Sequence, residues 1–346
     1  MKRVFTFTVD KEDESLAIRK MLKKHLSFSS RLLAKLRAQK RVYLNGVPLE
    51  GWMKYREGDE IRVELPEEVS HFPEEDIPIH AVYEDQDLVL IDKQPGLTVH
   101  PTKGHSDHTI ANGLMKHMRE QGESYKIRFV NRLDMDTSGL LIVGKNSHAQ
   151  DELVRQMGNG KLHKYYTAVV NGIIPEDELT IDEPIGHPEP EQVARRVVHD
   201  GTGQESVTHL RVLRRIPGEH IYGTEDHHAH AGGYTIVQLR LDTGRTHQIR
   251  VHLAYIGYPI LGDPLYGGSV AGLLDRQALH ASRLEFFHPA TGRPVSAEAP
   301  LPEDILQAIS KIEKQGSISG AGDPGDTDGD APGTKAGRTG TEETWK

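Results

Sequence analysis

The chain has 346 residues, no cysteine and a formal net charge of −9. The lack of cysteine excludes disulfides, thiolate catalysis and cysteine-ligated zinc, and it suits a cytoplasmic location. No apolar run reaches the roughly 18 residues that a membrane span needs, and the N-terminus has no apolar leader segment. The sequence therefore predicts neither a membrane protein nor a secreted one, and its length fits two or three domains.

Residues 1–65 are predicted to form a small α+β module. Apolar residues recur at helical spacing from Leu16 to Leu26, and Ser30 is expected to cap a second helix. A strand then enters the turn Asn45-Gly46, which is the strongest short hairpin signal. The module thus has two helices followed by strands.

The first module also carries a strong local charge. Nine Lys or Arg and no Asp or Glu lie between Arg19 and Arg41, whereas nine acids and no Lys or Arg lie between Pro66 and Asp92. Acids beyond a Debye length, about 8–10 Å, do little to cancel a basic patch. A solvated helix face is the alternative, but the basic run lies inside an apolar helical pattern, which favours a nucleic-acid surface.

Residues 66–80 hold three prolines and five acids with little to pack, so they are predicted to be a linker. A larger domain is predicted from residue 81 to 312, a mixed α+β fold with a mostly antiparallel sheet. A capping box at Ser147-His-Ala-Gln150 is expected to start a helix that ends at Gly158. The strand patterns run over residues 87–92, 140–144, 165–170, 207–213, 234–241 and 284–287.

Two further segments interrupt or follow this domain. Residues 218–232 contain four histidines, which could bind metal, but their spacing fixes no geometry and a polar insertion is the preferred interpretation. Residues 313–346 are rich in glycine and acids, and a segment with so few apolar residues cannot bury enough surface to become ordered. The sequence therefore predicts a disordered tail there.

The stretch VNRLDMDTSG, residues 130–139, places two carboxylates two residues apart beside Arg132. Such a sequence could simply be a turn, because Asp and Ser bond to local backbone and Gly relieves φ. Asp134 and Asp136 could also be the acid and base of a hydrolase. No other part of the chain suggests a sugar cleft, and a hydrolase would leave the basic patch unexplained.

Three other stretches favour an anionic, base-containing substrate. Thr243-Gly-Arg-Thr-His-Gln-Ile-Arg250-Val-His concentrates cationic groups where a helix is predicted to begin near Thr246, with its positive end toward an anion. Lys164-Tyr-Tyr166 interleaves basic and aromatic residues on a strand, although a core tyrosine is the alternative. The Gly- and Pro-rich stretch 257–267 is predicted to be an ordered loop that lines a site, with a plain connection as the alternative.

Together these motifs resemble the RluA/RluD family of RNA pseudouridine synthases in order and spacing, over residues 80–300. The matching stretches are Arg132-Leu-Asp134-x-x-Thr-Ser-Gly139, Lys164-x-Tyr166-x-Ala168, residues 243–253, Leu279-His-Ala281 and Phe287-His-Pro289. The first module resembles a ribosomal-protein-S-four-like RNA-binding domain. One departure is Asn131, where many members have histidine; that histidine is not the catalytic group, so activity is expected to survive.

The resemblance implies an isomerisation of uridine within RNA that needs no cofactor, and we predict no metal site. It makes Asp134 the catalytic carboxylate, Arg250 its electrostatic partner and Tyr166 the residue that packs on the flipped base. Arg132 is expected to insert where the base was. Whether Asp134 attacks the sugar, attacks the base or abstracts a proton stays open.

The partner that the resemblance implies is structured RNA, with 23S ribosomal RNA as the first expectation and transfer RNA as the alternative. A non-catalytic RNA-binding assembly factor is a further alternative, opposed by the joint presence of Asp134, Tyr166 and Arg250. The protein is expected to be a monomer without a membrane partner. The residues expected to bind RNA phosphates are Arg19, Lys20, Lys23, Lys24, Arg31, Lys35, Arg37, Lys40 and Arg41.

Overall fold

The computed structural model describes residues 3–319 apart from 103–105, 188, 190–192, 219–231, 269 and 271, with side chains up to residue 314. The histidine-rich stretch 218–232 and the tail beyond residue 319 therefore fall almost wholly outside the described residues. None of the helices in this part of the chain has the length and apolar character that crossing a membrane requires.

The N-terminal module is a four-stranded antiparallel sheet covered by two helices. The Asn45-Gly46 turn joins two of the strands with φ angles of 47° and 82°, the left-handed values that a tight hairpin needs. Leu22, Leu33 and Ile61 are fully buried between helices and sheet. The elements are β1 (Val4–Thr8), α1 (Ile18–Leu26), α2 (Ser30–Ala38), β2 (Val42–Leu44), β3 (Val47–Pro48) and β4 (Glu60–Glu64). The strand order in the sheet is β1-β4-β2-β3.

The larger domain is built on a ten-stranded, mostly antiparallel sheet, as the fold class predicted. Its strands are β5 (Ala81–Glu84), β6 (Leu88–Lys93), β7 (Arg128–Phe129), β8 (Ser138–Gly144), β9 (His163–Asn171), β10 (Glu178–Asp182), β13 (Val207–Pro217), β14 (Gly233–Leu241), β15 (Leu279–Phe287) and β16 (Pro294–Glu298). A separate pair is formed by β11 (Ile185–Gly186) and β12 (Arg196–Val197). The helices are α3 (Ile110–Glu120), α4 (Ser147–Gly158), α5 (Gln248–Tyr255) and α6 (Glu303–Ser319).

The strand order β10-β13-β14-β9-β15-β8-β6-β5 places β15 at the centre of the sheet. Its pairing with β8 is parallel, with His280 opposite Ser138 and Ala281 opposite Gly139, whereas every other strand pair in the described residues is antiparallel. The stretch 130–137 enters the sheet at this parallel junction. The opening of β8 therefore holds the loop that carries Asp134.

Two predicted helix starts were wrong by one residue. Ser29, not Ser30, caps α2, and its hydroxyl accepts from the amide of Leu32 at 3.2 Å. Asn146, not Ser147, caps α4 through a bond from the amide of Ala149. In both places two adjacent residues can cap, so composition alone does not decide between them.

Two predicted boundaries also need correction. The segment 66–80 has no helix or strand, but the expectation that little packs there was wrong, because Ile77 is buried against Gly113 of α3. The predicted disordered tail begins too early, because α6 continues through residues 313–319. Ile305, Ile309 and Ile312 lie one helical turn apart and pack into the core, which extends the fold in this direction.

The N-terminal module is attached to the larger domain by specific contacts. Arg3 makes a bidentate ion pair with the carboxylate of Asp87, at 2.9 and 2.7 Å. The ring of Phe28 packs on buried His148, with centroids 4.5 Å apart, and the capping hydroxyl of Ser29 donates to Asp151 at 2.7 Å. The basic helices are thereby held in a defined position beside the larger domain.

Candidate active site

The turn that carries Asp134 is held by side-chain bonds to the sheet. The side-chain Nδ2 of Asn131 donates to the carbonyl of Leu140, and its Oδ1 accepts from the backbone amide of Ile142 at 2.8 Å. The backbone amide of Thr137 donates to the carbonyl of Asp134 at 3.1 Å, and this bond closes the turn. Asn131, the departure from the family pattern, therefore ties the turn to β8.

A buried lysine and a buried arginine brace the same turn. Lys93 is fully buried, and its Nζ donates to the carbonyl oxygens of Gln94, Leu97 and Met135 at 2.8–3.0 Å. Burial lowers the pKa of Lys93 to about 7, although the nearby acids Asp136 and Asp134 oppose the shift. Arg276 donates to the carbonyl of Asp136 at 3.0 Å. The backbone on the C-terminal side of Asp134 is thus fixed at two consecutive carbonyls.

Arg250, on α5, lies between two carboxylates. Its Nη1 donates to Oδ2 of Asp134 at 3.1 Å, across 116 residues of sequence. Its Nε and Nη2 donate to the two oxygens of Asp263 at 2.7 and 2.9 Å. Asp263 is fully buried, whereas the side chain of Asp134 is 20% exposed. The guanidinium is therefore anchored from the interior and leaves Asp134 open to solvent on its other side.

The neighbours of Arg250 stabilise its positive charge. Burial alone would lower the pKa of Arg250, but the bonds and charge of Asp263, followed by those of Asp134, raise it above its usual value. The ring of Tyr266 lies 5.1 Å from the guanidinium carbon, and its hydroxyl bonds to Nδ1 of His247. The Nε2 atom of His247 is 4.0 Å from Asp134, and burial lowers the pKa of this histidine.

Two adjoining cavities open around Asp134 and share Arg132 and Tyr166 in their walls. The smaller, about 50 Å³, reaches Arg250 and Leu279, and the larger, about 340 Å³, reaches His100 and Lys164. Tyr166 is only 5% exposed. Burial, and then the charge of Asp134, raise the pKa of Tyr166, so its phenol stays protonated at neutral pH. The cleft thus combines one carboxylate, one guanidinium and one neutral phenol.

The structure brings Asp134, Tyr166 and Arg250 together, with exposed Arg132 at the rim of the cleft. Asp136 lines neither cavity in the described residues, so it does not share the position of Asp134. The helix predicted to begin near Thr246 begins at Gln248, after His247 with φ of 57°.

The nine basic residues predicted to grip RNA lie on the N-terminal module, away from the walls of both cavities. Three of them pair with acids: Lys24 with Asp10 and Asp13, Lys35 with Glu68, and Lys40 with Glu50. The other six make no ion pair with any described residue: Arg19, Lys20, Lys23, Arg31, Arg37 and Arg41.

Sequence reasoning missed Asp263, which holds Arg250, and Tyr266, which packs on it. The only signal was the Gly- and Pro-rich stretch 257–267, which predicted an ordered loop and no role for its acid. Two other clusters have metal-ligand spacing in the described residues: Asp10, Asp13 and His25, and Asp85, Asp87 and His288. Lys24 already pairs with the first and Arg3 with the second, so a cation would have to displace them.

A family model, curated relatives and a solved structure that this chain resembles are all described as pseudouridine or pseudouridylate synthases. The family model described as RNA pseudouridylate synthase matches residues 87–255. A Bacillus subtilis protein described as an uncharacterized RNA pseudouridine synthase is 41% identical over 280 residues, covering 80% of this chain and 87% of that protein. The ribosomal large subunit pseudouridine synthase D of Pseudomonas aeruginosa is 40% identical over 253 residues, covering 69% and 73%. The structure of human RNA pseudouridylate synthase domain containing 1 superposes with a TM-score of 0.50 at 27% identity, over 64% of this chain and 83% of that one.

Proposed function

The chain belongs to the RluA/RluD family of RNA pseudouridine synthases, and from this premise we propose that it modifies 23S ribosomal RNA with Asp134 as its catalytic carboxylate. Enzymes of this family isomerise uridine to pseudouridine in RNA. The bond from the ribose to N1 of uracil breaks and the ribose is rejoined to C5. The C5 proton then leaves, and N1 takes up a proton in its place. No atom is gained or lost, so the reaction needs no co-substrate.

The contact between Asp134 and Arg250 at 3.1 Å carries the assignment of the carboxylate. Attack on the sugar, attack on the base and proton abstraction all require an ionised carboxylate in a site that is poor in water. A guanidinium whose own charge is secured by Asp263 stabilises that negative charge inside the cleft. Asp134 remains partly exposed, so a substrate can reach it.

The remaining residues of the cleft take roles in holding an extruded uridine. Flipping a nucleotide out of a stack costs a few kcal/mol, and stacking on an aromatic ring returns about 1–3 kcal/mol per base. Tyr166, in the wall beside Asp134, supplies that ring. Arg132, exposed at the rim, has a planar guanidinium that can fill the gap left by the base and hydrogen-bond at the same time.

The N-terminal module is proposed to bind RNA phosphates through α1 and α2. Its helices carry five of the six basic residues that have no acidic partner among the described residues, and the sixth, Arg41, directly precedes β2. The module is fixed to the larger domain through Arg3 and Phe28. Phosphate contacts position RNA without reading its sequence. The choice of uridine therefore rests with the cleft and with the shape of the RNA.

The substrate is proposed to be 23S ribosomal RNA because several relatives at 36–40% identity are described as ribosomal large subunit pseudouridine synthase D. The test is to map pseudouridines in ribosomal and transfer RNA from a strain lacking this chain and from the same strain after complementation. We expect one or more pseudouridines of 23S RNA to disappear and return. Loss confined to transfer RNA would contradict the proposed substrate.

A further inference from the structure

The amine of Lys164 is buried beside the cleft without a counter-charge. The residue is 5% exposed, and no described acid lies within ion-pair distance of its Nζ. The nearest polar contact of the amine is the thioether of Met157, at 3.8 Å. Burial lowers the pKa of Lys164, and no nearby acid opposes the shift. Burying an unpaired cation destabilises a protein, so this arrangement calls for an explanation.

The other two buried lysines of the described residues differ from Lys164 in this respect. Lys145 pairs with Glu84 at 2.9 Å and with Glu123 at 2.5 Å. Lys93 donates to three backbone carbonyls. Both amines donate to oxygen atoms of the protein, whereas the contact of the Lys164 amine is with a thioether.

The amine faces the larger cavity beside Asp134. Lys164 lies two residues before Tyr166 on β9, so the two side chains share one face of the strand, about 7 Å apart. Both line the cavity of about 340 Å³. Opposite them is Gly244, where a Cβ atom would come within 3.3 Å of the lysine Nζ. A glycine at this position leaves the amine open to the cavity.

The walls of this cavity are suited to an anion next to the base. His100, Arg132 and Arg245 line it together with Lys164, and Asp134 is the one acid among its described lining residues. When a nucleotide is extruded toward Asp134 and Tyr166, the phosphates that flank its ribose enter the cleft with it. Such a phosphate would supply the counter-charge that the free protein lacks.

We propose that Lys164 binds a phosphodiester that flanks the target uridine and so fixes the position of the ribose against Asp134. This assignment rests on the proposed function, since it takes RNA as the ligand. It makes Lys164 a substrate-binding residue inside the cleft, separate from the basic surface of α1 and α2. The bound phosphate compensates the buried amine, so the free protein carries a destabilised group that RNA relieves.

The test compares wild-type protein, Lys164→Met and Lys145→Met. Methionine keeps the length of the side chain and removes the charge. The measurements are turnover number and KM on an unmodified 23S RNA transcript between about 50 and 200 mM salt, and the melting temperature without RNA. For Lys164→Met we expect KM to rise about tenfold. We also expect the slope of log KM against log salt to fall by about 0.7 to 0.9, and the melting temperature to stay equal or rise.

The control, Lys145→Met, removes an amine that pairs with two acids and lines neither cavity of the cleft. It should lower the melting temperature, because it leaves Glu84 and Glu123 without their partner, and it should leave the salt slope unchanged. A Lys164→Arg variant, which keeps the charge, should retain the wild-type salt slope. A Lys164→Met protein that melts earlier or fails to fold, or one with the wild-type salt slope, would overturn the phosphate assignment.

Failure of the proposed function gives a different result. If wild-type protein forms no pseudouridine in 23S RNA, the substrate is wrong, and the same three proteins are compared by their affinity for a transfer RNA transcript instead. A salt slope reduced only in Lys164→Met would still support the phosphate site in that case. Equal slopes for all three proteins on both RNAs would reject it.

Discussion

Arg250 bonds to both Asp134 and Asp263, and so connects the carboxylate of the cleft to one in the protein interior. The buried Asp263 accepts the two shorter bonds from Arg250, 2.7 and 2.9 Å, whereas Asp134 accepts a single bond of 3.1 Å. The arginine is thereby oriented mainly by the residue that no substrate reaches. A carboxylate has about four lone-pair positions. The bond from Arg250 leaves the other positions of Asp134 for chemistry, which suits a group that must react as well as pair.

Replacing Asp263 with asparagine removes one charge and one acceptor while keeping the shape of the side chain. We expect turnover to fall about 10- to 100-fold, because a guanidinium that shifts by about 1 Å no longer holds Asp134 in place. RNA affinity should change less than about threefold, since Asp263 is fully buried. Single-turnover assays and binding titrations separate the two effects, and a folded variant with wild-type turnover would rule out this anchoring role.

Asp136→Ala is expected to keep most of the activity. The carboxylate of Asp136 lines neither cavity around Asp134 in the described residues, and its tie to Arg276 runs through the backbone carbonyl, which alanine retains. Initial rates on the RNA substrate measure the outcome. Complete inactivation of a well-folded protein would instead restore the hypothesis of an acid and base pair.

At the scale of single residues, the predictions from the sequence depended on recognisable motifs. Asp134, Tyr166 and Arg250 stood in motifs that match the RluA/RluD family, and the structure brings them together. Asp263 stood in the Gly- and Pro-rich stretch 257–267 without a predicted role, because its partner is 13 residues away across a loop and no periodicity links them. Lys164 stood in the same motif as Tyr166 without a predicted role of its own, because burial without a partner is a property of the fold.

At the scale of elements, the site depends on the parallel junction between β8 and β15. Gly139 has φ of +104°, and a Cβ atom there would lie 2.3 Å from the carbonyl oxygen of Ala281. The hydroxyl of Ser138 bonds to Nδ1 of His280 at 2.9 Å across the same junction. The strands therefore approach closely only because one of them carries a glycine.

Gly139→Ala is expected to lower the free energy of unfolding by at least about 2 kcal/mol, because the new methyl group meets backbone that cannot move aside. Gly158→Ala is the matched control, since it ends α4 with no atom within 4 Å of the added Cβ. Urea denaturation compares the two variants. Equal stability of both would show that the junction tolerates a side chain.

Sequence reasoning located most of the long strands but not every helix. The strand patterns correspond to β6, β8, β9, β13, β14 and β15, whose apolar runs are buried by the fold. The helices α3 and α6 were missed. The apolar spacing of α6 is visible at Ile305, Ile309 and Ile312, but the polar residues after it suggested a tail. The packing of Ile77 depends on Gly113, 36 positions away, so no local pattern could indicate it.

At the scale of the whole molecule, the basic face is attached to the domain that holds the cleft. Arg3, Phe28 and Ser29 make the attachment, and Ser29 also caps α2. The helix that carries part of the positive charge is therefore tied at its first turn to α4 through Asp151. RNA phosphates bound there would have a fixed distance to Asp134, which is what a positioning surface requires.

Unpaired and paired basic residues of this face should contribute differently to RNA binding. Replacing Lys20, Lys23 and Arg31 together with alanine should weaken RNA affinity and lower the salt slope by about 2 to 3. The control replaces Lys24, Lys35 and Lys40, which already pair with acids, and should change the slope less. Filter binding at several salt concentrations provides both values. Equal slopes for the two triple variants would contradict a phosphate-binding role for the unpaired residues.

The most direct test of the account replaces Asp134 with asparagine, which keeps the size of the side chain and removes its charge. Tritium release from RNA labelled at C5 of uridine reports the isomerisation, and a binding titration with the same RNA reports whether the cleft still accepts it. The account predicts that tritium release falls to background while RNA affinity stays within about threefold of wild type. An Asp134→Asn protein that still releases tritium at a substantial rate would contradict the central claim.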